Sequence, residues 1–153
     1  GIKLMYDIAL YYYNRNTAFI AAFLFTIQGT IIDLAAGRWA TDHIDTAFLF
    51  FTLASIWFTI RYLKSDKTGN NIAAGLMMGC AIFTKWLPAL IILPVWVLLI
   101  ADAQKTIKLK TLIQLVVFLV SATVVVLPWQ LYIRRYFPAE AAIEFGHMGR
   151  HFT

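Results

Sequence analysis

Long unbroken apolar stretches alternate along this chain with short polar clusters, and their lengths predict helices that cross a lipid bilayer. Residues 2–13 end in three tyrosines and then Asn14-Arg15-Asn16, an aromatic belt with a basic turn. Residues 17–37 are mainly apolar and would reach about 30 Å at the helical rise, enough to span. Gln28 and Asp33 interrupt that stretch, so one side of it should face protein or water. Residues 37–46 read as a polar loop, residues 47–63 as a further helix extended by Arg61, and residues 64–71 as a turn rich in breaker residues. Residues 72–84 and 87–101 each make about 20 Å of helix, whereas one helix through both would be about 45 Å, too long for an untilted passage. Two shorter helices joined at 84–88 fit better, because Pro88 suits the first turn of a new helix. Residues 102–111 make a basic loop carrying Lys105, Lys108 and Lys110, residues 112–128 a last span ending at Leu127-Pro128-Trp129, and residues 130–153 a mixed polar tail with a short helix around 139–145.

Lys85 stands in the middle of the most apolar part of this pattern, followed by Trp86 and Pro88. A charge at the centre of a span costs roughly 2.5–3.5 kcal/mol on insertion scales, which makes it a functional-site candidate by default. The competing reading is a hairpin tip at which Lys85 snorkels to the interface and Trp86 anchors the turn.

Composition sharpens the class. The 153 residues are 61% hydrophobic and 14% charged, far from the balance of a soluble domain. An all-α, multi-pass transmembrane bundle is expected, since only helices and closed barrels satisfy their backbone in lipid and these runs lack barrel alternation. The net charge of +5 sits in short loops, so the positive-inside bias accounts for it and no nucleic-acid partner is implied. Cys80, the single cysteine, lies in an apolar run and reads as a core residue. The opening residues look like the end of a helix, not a signal peptide, and the chain reads as a segment of a longer protein.

Charge also orders the loops. Placing Arg15, Arg61–Lys67 and Lys105–Lys110 on the cytoplasmic side puts eight basic residues there and five opposite, among them Arg38, Lys85, Arg134, Arg135 and Arg150. The loop 37–46, the tip 84–88 and the tail 129–153 then share the non-cytoplasmic face. That face would gather Asp42, His43 and Asp45 as acids and base, the five cations, and the rings of Trp39, Trp86, Trp129 and Tyr132. Carboxylates can act as general bases, and Lys or Arg can stabilise a departing phosphate. Each of these residues can also be read as an interfacial group at a loop end. In the tail, Glu144, His147 and His151 share a face if helical and could hold a divalent metal, although Gly146 and Gly149 oppose a helix and favour a solvated polar face. His43 could likewise be a base, a ligand or a hydrogen-bonded loop histidine.

Four elements carry a family resemblance. Gly37-Arg-Trp-Ala-Thr-Asp-His-Ile-Asp-Thr-Ala-Phe-Leu-Phe-Phe51 resembles the Arg…Asp…Phe-Phe element of polytopic, polyprenyl-phosphate-sugar-dependent glycosyltransferases (the GT-C type). Gly79-Cys-Ala-Ile-Phe-Thr-Lys85 resembles their Gly-Leu-Ala-Leu-Leu-Thr-Lys element, Leu127-Pro-Trp-Gln-Leu-Tyr132 their Pro-Trp element, and Arg150-His-Phe-Thr153 their Arg-Phe-Thr element. Protein O-mannosyltransferases and lipid A aminoarabinose transferases are members. The resemblance implies an inverting membrane transferase that moves a sugar from a polyprenyl-phosphate carrier to a lipid, glycan or protein acceptor. Its active site would face the periplasm or exterior of a bacterial inner membrane.

By that resemblance Lys85, Arg150 and Arg38 would contact the carrier phosphate. Asp45, with Asp42 as alternative and His43 beside them, would be the supporting acid, and Trp86 and Trp129 the sugar-side or interfacial aromatics. The catalytic aspartate is expected upstream of Gly1, so residues 1–153 would be part of the transmembrane domain, about five helices or half-helices, and inactive alone. A transporter or flippase for an anionic lipid-linked substrate is the alternative, since transporters also use broken helices and intramembrane charge. A structural membrane subunit is a third reading, under which the matched elements are coincidental.

Overall fold

The computed structural model describes residues 1–29, 32, 33, 36, 43–104 and 108–149, without the side chains of 43 and 144–149. The described residues form helices and no strand: α1 (Ile2–Tyr12), α2 (Arg15–Ile27), α3 (His43–Ser65), α4 (Thr68–Thr84), α5 (Trp86–Ala89), α6 (Ile92–Gln104), α7 (Leu109–Tyr136) and α8 (Pro138–Gly149). Among the described residues three stretches are long and apolar enough to cross a membrane, Ile44–Ser65, Trp86–Gln104 and Leu109–Tyr136. The expected all-α membrane bundle is therefore present.

Prolines set the central break. A helix continued through Lys85 would drive the Pro88 ring into the Thr84 carbonyl and lose one backbone bond. The chain instead turns extended at Lys85 (φ −146°, ψ 99°), and Pro88 falls in the first turn of α5, where no N–H is needed. The expected junction at 84–88 is thus observed. Residues 87–101 are not one helix, however. Pro94 repeats the conflict with the Leu90 carbonyl, so α5 stops at Ala89 and α6 starts at Ile92.

Other boundaries differ from expectation, each for a physical reason. The helix expected over 17–37 stops at Ile27, because Gln28 takes an extended backbone (φ −62°, ψ 119°) just before Gly29. At 13 residues, α2 is about 20 Å long, too short to span alone. The start expected at 47 moves back to His43, which brings Asp45 into the first turn of α3, where a carboxylate complements the helix dipole. That helix closes on Asp66 in the left-handed region (φ 54°), a conformation Asp tolerates better than most residues. The span expected to end at Pro128 runs on to Tyr136. Helices in lipid tolerate proline, and the last turns carry a stack of rings, Trp129 on Tyr132 at 5.8 Å and Tyr132 on Tyr136 at 4.9 Å. Finally, α8 continues through Gly146 to Gly149, beyond the short helix expected around 139–145.

Residue pairing gives the directions. Ser55 Oγ donates to the Ala74 carbonyl at 2.8 Å and Asp45 meets Lys85, so α3 and α4 are antiparallel. Asn71 meets Gln114, and Gly75 and Gly79 meet Phe118 and Ala122, so α4 and α7 are parallel. Basic turns consequently gather at one end, where Lys110 pairs with Asp66 and Lys64 lies over the Tyr11 ring. Lys85 and Asp45 lie at the opposite end.

A polar pin fastens α4 to α6 and α7 near the end that carries the Lys110–Asp66 pair. Asn71 is fully buried; its Nδ2 donates to the Gln114 backbone carbonyl (2.7 Å) and Oε1 (2.9 Å), while its Oδ1 accepts from Trp96 Nε1 (2.9 Å). Gln114 Nε2 in turn donates to Thr68 Oγ1 at 3.1 Å, so α4, α6 and α7 share one satisfied network. Asn71→Leu should destabilise the protein by about 1–3 kcal/mol, because Trp96 and Gln114 would lose their partners inside an apolar interior. A lowered unfolding midpoint in a denaturing-detergent titration checks this; an unchanged midpoint would show that the network is dispensable.

Candidate functional site around Lys85

Lys85 is held at the helix break by its own backbone, its N–H donating to the Ala81 carbonyl at 2.9 Å. Its ammonium forms an ion pair with the Asp45 carboxylate, and the two side chains are 38% and 26% exposed. Two sequence candidates forty residues apart thus become one cluster, a partly solvated cation with an acid beside it. The cation stays within reach of an incoming anion, and in that position charge is cheaper than at mid-bilayer.

Beside the break opens a cavity of about 370 Å³. Thr84 and Trp86, either side of Lys85, line it together with Ile82 and Phe83 of α4, Val126, Trp129, Gln130 and Ile133 of α7, and Glu140 and Ala141 of α8. Trp86 and Trp129, separate in the sequence, therefore share one chamber. The Thr84 hydroxyl donates back to the Ala81 carbonyl at 2.7 Å, which leaves its oxygen as an acceptor. Gln130 Oε1 is buried without a hydrogen-bond donor, a condition that costs about 1–3 kcal/mol.

Gln130, Glu140 and Thr84 carry no functional pattern of their own in the sequence; the available signal is adjacency, Gln130 directly following Trp129 and Thr84 directly preceding Lys85. Arg38, Asp42, Arg150 and His151 lie outside the described residues, as do the side chains of His43, Glu144 and His147. The backbone nonetheless places Glu144 and His147 one helical turn apart on α8, despite Gly146. Among the described residues no group of three His, Cys, Asp or Glu side chains could hold a metal ion.

A profile described as dolichyl-phosphate-mannose-protein mannosyltransferase matches residues 1–132, a segment containing Asp45, Lys85, Trp86 and Trp129. The chain belongs to that family. It is also 33% identical over 132 residues to "Putative mannosyltransferase YkcB" of Bacillus subtilis (strain 168). The aligned part is 86% of this chain but 18% of that protein, so the chain spans less than a fifth of the length of the curated relative it matches. No solved structure matches. Membership in this family agrees with the resemblance read from the sequence elements, of which those ending at Phe51, Lys85 and Tyr132 lie within the matched residues.

Proposed function

We propose that the parent protein transfers a sugar, mannose by its family, from a polyprenyl-phosphate carrier to a lipid, glycan or protein acceptor. The Lys85–Asp45 end would face the non-cytoplasmic side. The observation that carries this reading is a cation fixed at a helix break within a segment that matches a mannosyltransferase family. In the reaction the bond between the anomeric carbon and the phosphate oxygen breaks, and an acceptor oxygen bonds to that carbon from the opposite face. The acceptor's proton passes to a carboxylate, for which the resemblance looks upstream of Gly1. Charge grows on the departing phosphate, and Lys85 meets it with a charge already in place, which favours the transition state over the ground state.

Full-length protein reconstituted in vesicles with polyprenyl-phosphate mannose as donor tests the reading. Mannose should appear on an acceptor with its anomeric configuration inverted. Donor that crosses the bilayer intact, with no transfer, would instead establish the transporter reading.

A further inference from the structure

The cavity beside Lys85 is separate from the cation itself, because Lys85 pairs with Asp45 while only its neighbours Thr84 and Trp86 reach the cavity wall. Its volume of about 370 Å³ lies at the small end of ligand sites, which run to about 1,000 Å³. Two indoles contribute to it, Trp86 at 41% and Trp129 at 50% exposure. Two polar side chains complete it: Gln130, whose Oε1 is buried in the wall without a donor, and Glu140, whose exposed carboxylate stands in the first turn of α8.

Chemistry narrows the occupant. An acyl chain would suit the rings but would desolvate the Glu140 carboxylate. A phosphate would face the Glu140 charge with its own. A neutral ring rich in hydroxyls meets every wall: its C–H face lies on the electron-rich indoles, and its O–H groups donate to the two acceptors. The Gln130 carbonyl is closed off by its surroundings, so rotation of the amide toward the cavity is part of binding.

We infer that this cavity is a hexose subsite, with Trp86 and Trp129 as stacking surfaces and Gln130 and Glu140 as hydroxyl acceptors. The inference rests on the glycosyltransferase reading for its biological meaning, and the sugar can belong to the donor or to an acceptor glycan.

A phosphate-free probe keeps the two readings apart. Methyl α-mannoside binding to full-length protein in nanodiscs can be followed by ligand-observed saturation-transfer NMR. Gln130→Leu and Glu140→Gln should each weaken it about tenfold, the worth of a hydrogen bond to a hydroxyl, with polyprenyl phosphate binding unchanged. Gln130→Leu removes an acceptor that lacks a donor, so its melting temperature should hold; Glu140→Gln, on an exposed residue, is the second, independent variant. If the mannosyl group adds affinity to polyprenyl phosphate and the variants erase that increment, the sugar is the donor's. If they raise only the KM for a glycan acceptor, it is the acceptor's. Equal methyl mannoside binding by wild type and the Gln130→Leu/Glu140→Gln double variant, or none by either, overturns the subsite. Glycoside binding that depends on Gln130 in a protein that ignores polyprenyl phosphate would overturn the carrier reading and leave the subsite standing.

Discussion

Lys85→Ala in the full-length protein is expected to lower the proposed sugar transfer by about 10²–10³-fold, the usual cost of removing one preplaced group that stabilises developing negative charge. Expression and membrane insertion should not change. The Lys85 side chain is 38% exposed and its partner Asp45 26%, and a partly solvated ion pair contributes about 0–1 kcal/mol to stability. If Lys85 meets the phosphate more strongly as the bond breaks, kcat should fall further than KM rises. Lys85→Arg keeps the charge but replaces a compact ammonium with a planar fork, so part of the activity should remain. Normal turnover by Lys85→Ala would remove the lysine from the phosphate and return it to a snorkelling residue at a helix end.

Gly75→Leu is expected to prevent stable folding, and Gly75→Ala to cost about 1–3 kcal/mol. A Cβ added at Gly75 would lie 2.3 Å from the Phe118 carbonyl oxygen and 2.7 Å from Ser121 Cβ. At Gly79 it would lie 2.7 Å from the Ala122 carbonyl oxygen and 2.7 Å from Val125 Cβ. The backbone of α7 cannot step aside as a flexible side chain could, so α4 and α7 would have to separate. Lipid supplies no hydrophobic drive to hold two helices together, and close backbone approach through small residues takes its place. Gly69 is the internal control: nothing lies within 4 Å of its added Cβ, and Gly69→Ala should be neutral or stabilising by up to about 1 kcal/mol. Thermal unfolding in detergent separates these outcomes. A Gly75→Leu protein that melts like wild type would show that the two helices are not held by this contact. Since α4 ends at Lys85 and α7 carries Trp129 and Gln130, a Gly75→Ala protein that still folds should also lose activity.

Legibility varied with the range of the forces involved. The break at Lys85 could be read because proline acts on the carbonyl four residues before it, a local event. The same rule over-reached at Pro128, where stacked rings on α7 and contacts with α8 outweigh one missing backbone bond. The His43 end of α3 is hidden from local pattern because Thr-Asp-His-Ile-Asp-Thr reads as a polar loop. Here a helix dipole accepts Asp45, and the Lys85 cation at the break after α4 is there to meet it. The Gly75-Leu-Met-Met-Gly79 spacing was visible but carries meaning only once α7 is known to lie against it.

By itself the sequence determined an all-α membrane bundle, the family, the basic turns and the interrupted helix, because apolar run lengths, prolines and short motifs act within a few residues. Tertiary structure alone decided that Lys85 meets Asp45, that Trp86 and Trp129 share a cavity with Gln130 and Glu140, and that two glycines seat α4 on α7. Lys85 and Asp45, Trp86 and Trp129, and Gly75 and Phe118 each stand about forty residues apart in the chain, and which of them meet depends on how the helices cross.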